Sequence, residues 1–285
     1  MKRRLLAIFL SLTLMLSLVP SAWAENEGDA EPYGAEDTSA VESKDGLSGP
    51  CGATEDDTVA WALTENNDSL YCVTKTTDDT TSWRFYENTA DVEEGQSEIV
   101  QAYTLTISGE GAMADYARNT TPWGLKLAEL LNKETTGNNV SDFCSPHITR
   151  VVFTEGSNVT YIGAHAFRST SISSITIPDS VKSIGDYAFI MCRQLKEIKA
   201  NDISDRAFFV DNDVLYENYT ENGQSGVALR FFPLAKWAGV DYTVDSRVTA
   251  IGSNSMQMSE IKSVTIPRPC APSIPMHSIL LQSSP

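Results

Sequence analysis

Catalysis and metal binding draw on few side-chain types, and their spacing in this chain fits neither. His147, His165 and His277 lie far apart, with no HExxH-like pairing. The five cysteines, at 51, 72, 144, 192 and 270, form no CxxC, whereas a zinc site needs ligands paired at fixed reach. GxGxxG, GxxxxGK[ST] and GxSxG are all missing, so nothing marks a phosphate cradle or a nucleophile elbow. No metal and no cofactor are expected, and the chain is read as a non-enzyme. Carboxylates are the exception in number. Glu55, Asp56 and Asp57 cluster, as do Asp78 and Asp79, and calcium sites use such oxygens. The EF-hand spacing is absent, and in so acidic a chain a cluster of this kind reads as a solvated loop. The carboxylate pair of a glycoside hydrolase has no fixed sequence spacing. An unrecognised carbohydrate-active hydrolase therefore stays open as an alternative.

The elements that hold these residues follow from charge and patterning. With 285 residues, 21 basic against 38 acidic, the net charge is −17, and the length suits one or two domains. An acidic body is repelled by phosphate backbones, so nucleic acid is excluded as a partner. Lys2-Arg3-Arg4, the apolar run from Leu5 to Val19, and Ala22-Trp23-Ala24 read as a secretory signal over residues 1–24. Pro20 and Ser21 end that run short of the about 20 residues a membrane span needs. No second run is long enough, so the mature chain is expected to be exported with no transmembrane segment. Without the signal the charge is −20, since residues 1–24 hold three basic residues and no acid. Residues 25–50 carry eight acids and one lysine, too few apolar groups to offset ordering entropy, and read as a disordered acidic leader. Export makes Cys51 with Cys72 the best disulfide candidate; free or buried thiols remain the alternative.

A repeat dominates the second half. Ile162-Gly163-Ala164-His165-Ala166-Phe167, Ile184-Gly185-Asp186-Tyr187-Ala188-Phe189 and Ile251-Gly252-Ser253-Asn254-Ser255-Met256 share one pattern. The first two lie 22 residues apart and the third follows after 67, about three such steps. Ile172 to Pro178, Leu195 to Ile198 and Ile261 to Pro267 supply a companion element, with Ile148 to Phe153 a looser copy. Each unit reads as a short strand with alternating apolar residues (Ile175, Ile177), a bend at Pro178, a second apolar pair (Val181, Ile184) and a turn at Gly185. One unit of about 23 residues cannot bury its own apolar edge, so copies must stack. Phe189 is expected to stack on Phe167, and Cys192 to face inward as a small apolar residue.

The pattern LxxIxIPxxVxxIGxxAFxxCxx, complete from Ile172 to Gln194 and partial over residues 147–267, resembles the BspA-like (Treponema pallidum-type) leucine-rich repeat family of bacterial surface proteins. That resemblance implies a mainly β fold: a leucine-rich repeat solenoid of short parallel strands at 147–267, preceded by a small β-rich N-terminal cap at 51–146. In the cap, Val59 to Leu63, Tyr71 to Thr74, Trp83 to Tyr86 and Tyr103 to Ile107 read as strands. Residues 124–133 read as a short helix with Leu127, Leu130 and Leu131 on one face. An insertion at about 200–245 interrupts the repeats. Its Asn212-Asp213 stands where relatives carry Asp-Gly, a poorer type I′ turn. The tail 268–285 is irregular, with four prolines from 267 to 275, lacks a sortase-type LPxTG end, and reads as truncated.

The resemblance implies a secreted or surface-exposed binding and adhesion module for a host or neighbouring-cell protein or glycan, with anionic ligands among the candidates. A structural stalk for a lost domain is the other alternative. Between the buried positions of each LxxIxI strand, side chains point outward. Those positions are Thr149, Arg150 and Val152; Ser173, Ser174 and Thr176; Lys196, Glu197 and Lys199; and Lys262, Ser263 and Thr265. Four bases and one acid on an acidic chain would steer acidic ligands there. The candidate ligand-binding residues are Arg150, Ser174, Thr176, Lys196, Lys199, Lys262 and Thr265.

Overall fold

Alternating apolar and polar residues build the N-terminal strands. A computed structural model describes residues 47–77, 80–86, 97–118, 120–131, 145–200, 207–221, 223–233, 235–236, 239–252, 255–256, 259 and 261–266, with the backbone alone described at 68–77, 80–86 and 97–98. The N-terminal region holds β1 (Ser48–Pro50), β2 (Ala60–Thr77), β3 (Thr80–Tyr86), β4 (Ser97–Ser108), β5 (Glu110–Ala112) and helix α1 (Pro122–Leu130). The repeats hold β6 (Ile148–Phe153), β7 (Asn158–Ile162), β8 (Ser174–Thr176), β9 (Ser183–Ile184) and β10 (Glu197–Lys199). Then come β11 (Phe208–Asp211), β12 (Val214–Glu221), β13 (Gln224–Phe231), β14 (Asp241–Thr243), β15 (Ala250–Ile251) and β16 (Ser263–Thr265). The fold is mainly β. The expectations for the signal, most of the leader, Asp78 and Asp79, Cys144, Cys270, His277 and the tail lie outside the described residues.

The first sheet mixes directions in the order β1-β2-β4-β6, with β3 also on β2; β1, β2, β3 and β4 are antiparallel neighbours, and β6 joins β4 in parallel. Trp61, Leu63, Leu105 and Ile107 point into the core, while Thr64 and Glu65 face water. β2 runs unbroken through two segments that the sequence separates, because β4 pairs along both. Ser48–Pro50, assigned by composition to the leader, pair with Ala60 to Ala62. Asp57 ties the N-terminal region: its carboxylate accepts from Thr54 N (2.9 Å), Thr54 Oγ1 (2.7 Å) and Ala112 N (2.7 Å). Burial works to raise its pKa, but these bonds prevail and hold it below the usual carboxylate range. Asp57 therefore works as a structural clasp rather than in the calcium cluster its neighbours suggested.

α1 starts at Pro122, earlier than its leucines indicate, with proline in the first turn where no donor is lost. Its inward face is Trp123, Leu127 and Ala128, whereas Leu130 is exposed and Leu131 only partly buried. Trp123 is fully buried, edge-on to Tyr116 (5.3 Å between centroids) and stacked on Phe167 (6.3 Å). This packing, rather than helix periodicity, selects the face.

Parallel pairs follow, β5-β7-β9, β8-β10, β13-β15 and β14-β16; all step by 22 or 23 residues except β5-β7, whose partners lie 48 or 49 apart. Ile175, Ile177, Val181, Ile184, Ala188, Phe189 and Cys192 are all buried, as the repeat requires. Phe167 and Phe189 stack at 5.8 Å. At Gly163 an added Cβ would lie 1.8 Å from the Ala114 carbonyl oxygen, and at Gly185 2.4 Å from Ala164 N. Glycine is needed there for close approach between units.

The insertion is a three-stranded antiparallel sheet, β11-β12-β13, and β15 adds to it in parallel. Asn212 (φ 50°) and Asp213 (φ 63°) take the left-handed conformations of a I′-type turn without a glycine. A first apolar core runs from Cys51 through β10 to Phe208 and Leu215, and a second from Phe209 to Ile261.

Candidate functional site

Pairing decides which side chains share a face. β8 and β10 register Ser174 with Glu197, Ile175 with Ile198, and Thr176 with Lys199. The isoleucines are buried, while Ser174, Thr176 and Lys199 are exposed and Glu197 is half-buried. β4 and β6 pair Thr104 with Arg150 and Thr106 with Val152, with Leu105 and Val151 buried between. β6 and β8 are in contact, and Ser171 N donates to the Ile148 carbonyl across them (2.9 Å). Arg150, Val152, Ser174, Thr176, Glu197 and Lys199 thus present polar groups around one apolar residue, Val152, which is 45% exposed. Lys196, exposed, sits just before β10.

Three placements differ from the strand-alternation reading. Thr149 is buried, and its hydroxyl accepts from Asn66 Nδ2 (3.1 Å). The β4–β6 register shifts between Tyr103 and Thr104, so Ile148 and Thr149 both turn inward, as a bulge requires. Lys262 and Thr265 are exposed, but on the two-stranded sheet β14-β16, which rests on the second core. The structure therefore gathers Arg150, Ser174, Thr176, Lys196 and Lys199 on the first core and holds Lys262 and Thr265 on another. Finally, two bases have acids beside them. Lys199 Nζ lies 3.0 Å from Glu197 Oε2, and Lys262 Nζ lies 3.2 Å from Asp241 Oδ2. Hydrogen bonds from Ser263 and Lys262 hold the Asp241 carboxyl below the usual range. The face is mixed in charge rather than basic.

The turn segments carry a second ordered feature. His165 N, Phe167 N and Ser169 N donate to the carbonyls of Asp186 (3.1 Å), Ala188 (2.9 Å) and Ile190 (2.9 Å). His165 and Tyr187, and likewise Ser169 and Met191, occupy the same left-handed conformation one unit apart (φ 55–61°). The His165 and Tyr187 rings stack at 5.1 Å with planes 6° apart. Asp115 Oδ1 accepts from Ala164 N and from the Tyr161 hydroxyl, both at 2.7 Å. Burial, then the charges of Arg168 and Arg118, lowers the His165 pKa, against Asp186 and Asp115. The sequence did carry a signal for this pair: the second variable position of IGxxAF is a ring in both copies, 22 residues apart.

The two cysteines with described side chains, Cys51 and Cys192, offer no nucleophile. Cys51 is a buried free thiol in the first core, not half of a disulfide. Burial pushes it up to about 12, far from a reactive thiolate. Cys192, fully buried, is likewise pushed up to about 12 and donates to the Phe167 carbonyl (3.0 Å). Among the described residues no group of histidine, cysteine and acidic side chains is arranged to hold a metal ion. None of the helices described is long and apolar enough to cross a membrane.

Comparison with known proteins bears on the repeats. The profile of the BspA type leucine rich repeat region matches residues 137–219 in six copies. No curated protein matches the chain. Among solved structures, a leucine rich cell surface protein from Faecalibacterium prausnitzii is 26% identical, with a TM-score of 0.37, over 44% of this chain and 31% of that one. The pneumococcal vaccine antigen PcpA is 21% identical (TM-score 0.36; 43% and 29%). A leucine-rich repeat protein from Eubacterium ventriosum is 18% identical (0.34; 57% and 59%). The chain thus spans less than two thirds of the length of each of these proteins. Over residues 137–219 the chain is thus similar to the BspA-type leucine-rich repeat family of bacterial proteins.

Proposed function

We propose that this chain is an exported, surface-exposed binding module whose repeats stack as a solenoid. It takes a protein or glycan of a host or neighbouring cell, acidic in character, on the face carrying Arg150, Ser174, Thr176, Lys196 and Lys199. What carries this reading is the in-register row. Parallel pairing turns the isoleucines inward and leaves hydroxyl and charged side chains side by side across successive units. Such a row offers donors and acceptors along an extended ligand without spending the apolar core. The Lys199–Glu197 pair does not close the site. Both side chains are about half exposed, and surface pairs of this kind are weak, so an incoming carboxylate or sulfate competes with Glu197 for Lys199. On the separate β14-β16 sheet, Lys262 and Thr265 would extend the contact for a long ligand.

The test is binding of the full chain to immobilised heparin and to an acidic mucin, with the double variant Lys196→Glu/Lys199→Glu beside it. Binding should fall at least tenfold in the double variant, and rising salt should weaken the wild type. Equal affinity in the two proteins would move the site off this face.

A further inference from the structure

The His165–Tyr187 stack stops after two members, and the reason lies in the next unit. Backbone bonds align the units. Gly185 N donates to the Ile162 carbonyl and Gly252 N to the Leu229 carbonyl, both at 2.8 Å. Phe167 N donates to Ala188 and Phe232 N to Ser255, both at 2.9 Å. Leu229 therefore stands where Ile162 and Ile184 stand, and Phe232 where Phe167 stands. Four residues separate Ile162 from Phe167, and Ile184 from Phe189, but only Arg230 and Phe231 separate Leu229 from Phe232. The position of the ring has dropped out of that unit. Arg230 turns back instead, donating to the Ile184 carbonyl (2.8 Å) and pairing with Glu217 (3.1 Å).

Among the described residues Tyr187 thus ends the stack. Its ring lies parallel to that of His165, and 38% of Tyr187 is exposed. Asp186 and Arg118 are exposed nearby, close enough to His165 for their charges to act on it. We propose that the Tyr187 ring, backed by His165, is a platform for one pyranose ring of an uncharged polysaccharide. The apolar C–H face of a sugar suits a flat ring, and its hydroxyls suit an acceptor such as the adjoining Asp186. A polyanion is the wrong partner for a platform flanked by the carboxylates of Asp186 and Asp115. This site lies on the turn segments, apart from the strand row, and does not depend on it.

Affinity electrophoresis of the full chain in gels holding laminarin, mannan, xylan or soluble starch tests it. At least one of the four should retard the wild type, little affected by salt. Tyr187→Asn, which tolerates the left-handed backbone, should lose that retardation at least tenfold, and Tyr187→Trp should keep it. Lys196→Glu/Lys199→Glu should leave it unchanged, which separates this platform from the strand-row face. An unchanged melting temperature in Tyr187→Asn would show that the loss is not unfolding. Retardation by none of the four, or equal retardation of wild type and Tyr187→Asn, overturns the proposal.

Discussion

The units at 158–199 and the insertion at 208–232 make the same inter-unit contact by different means. In the first, glycine lets backbones touch: Gly185 N reaches the Ile162 carbonyl, and a Cβ would leave 2.4 Å to Ala164 N. In the second, Arg230 fills the glycine position, and its side chain crosses to the Ile184 carbonyl. The cores differ likewise. Phe167 and Phe189 stack in line, and Phe189 passes the ladder to Phe231 at 5.4 Å. Beyond it, Tyr216 and Tyr242 share a buried hydroxyl contact (2.9 Å), and Phe232 packs edge-on to Tyr242 at 4.7 Å. The repeat is therefore a backbone register that different side chains can satisfy, and the IGxxAF motif is one solution to it.

The largest test of this comparison strikes the shared ring. Phe189 lies between Phe167 and Phe231, so Phe189→Ala opens a cavity where the two ladders join. We expect a cost of about 3–5 kcal/mol, read by denaturant unfolding. A loss under about 1 kcal/mol would mean that the units are held by backbone bonds and not by the ring ladder.

The reciprocal position is the next test. Gly185→Ala forces a backbone shift and should cost about 2–3 kcal/mol through overpacking. Arg230→Ala removes a charge-assisted bond and a partly exposed ion pair, and should cost about 1 kcal/mol. Equal costs at the two positions would show that the glycine contact is not the tighter of the two, and the comparison would collapse.

How legible this was in the sequence differs between the same two regions. Where the period is intact, burial followed directly from it: Ile175, Ile177, Val181, Ile184 and Phe189 are inward because a 23-residue unit has no other way to cover its edge. The insertion hid its register because Leu229-Arg230-Phe231-Phe232 carries neither the glycine nor the spacing of the motif. Thr149 was misread because strand alternation cannot show a bulge, which arises from pairing with β4. The mixed charge of the candidate face was hidden for a similar reason. Asp241, which lies beside Lys262, is 21 residues from it in sequence. The His165–Tyr187 stack was visible only as two rings at one offset, and its termination only once Leu229 and Phe232 were aligned through their backbone bonds.

The smallest expected effect sharpens the comparison at the turn ladder, where the intact units hold a titratable ring and the insertion has none. The fold lowers the His165 pKa below the ordinary imidazole value, by burial first and by Arg168 and Arg118 second. The neutral form is thus the one the fold accepts. Above about pH 6.5, the unfolded value, both states are neutral and the group contributes no pH dependence. As pH falls below 6.5 the unfolded chain binds the proton first, so stability drops, and it levels off below the folded pKa. The many carboxylates titrate lower and add their own slope, so the useful quantity is the melting-temperature gap between wild type and His165→Gln. That gap should shift against the wild type between pH 7.5 and 5. Because burial outranks the arginines, and Arg118 is exposed to screening, adding salt should shrink the shift without abolishing it. A gap that stays constant across this range would mean that His165 is no more costly to protonate in the fold than in the open chain. A shift that salt removes entirely would assign the effect to the arginines and not to the burial that stacking on Tyr187 brings.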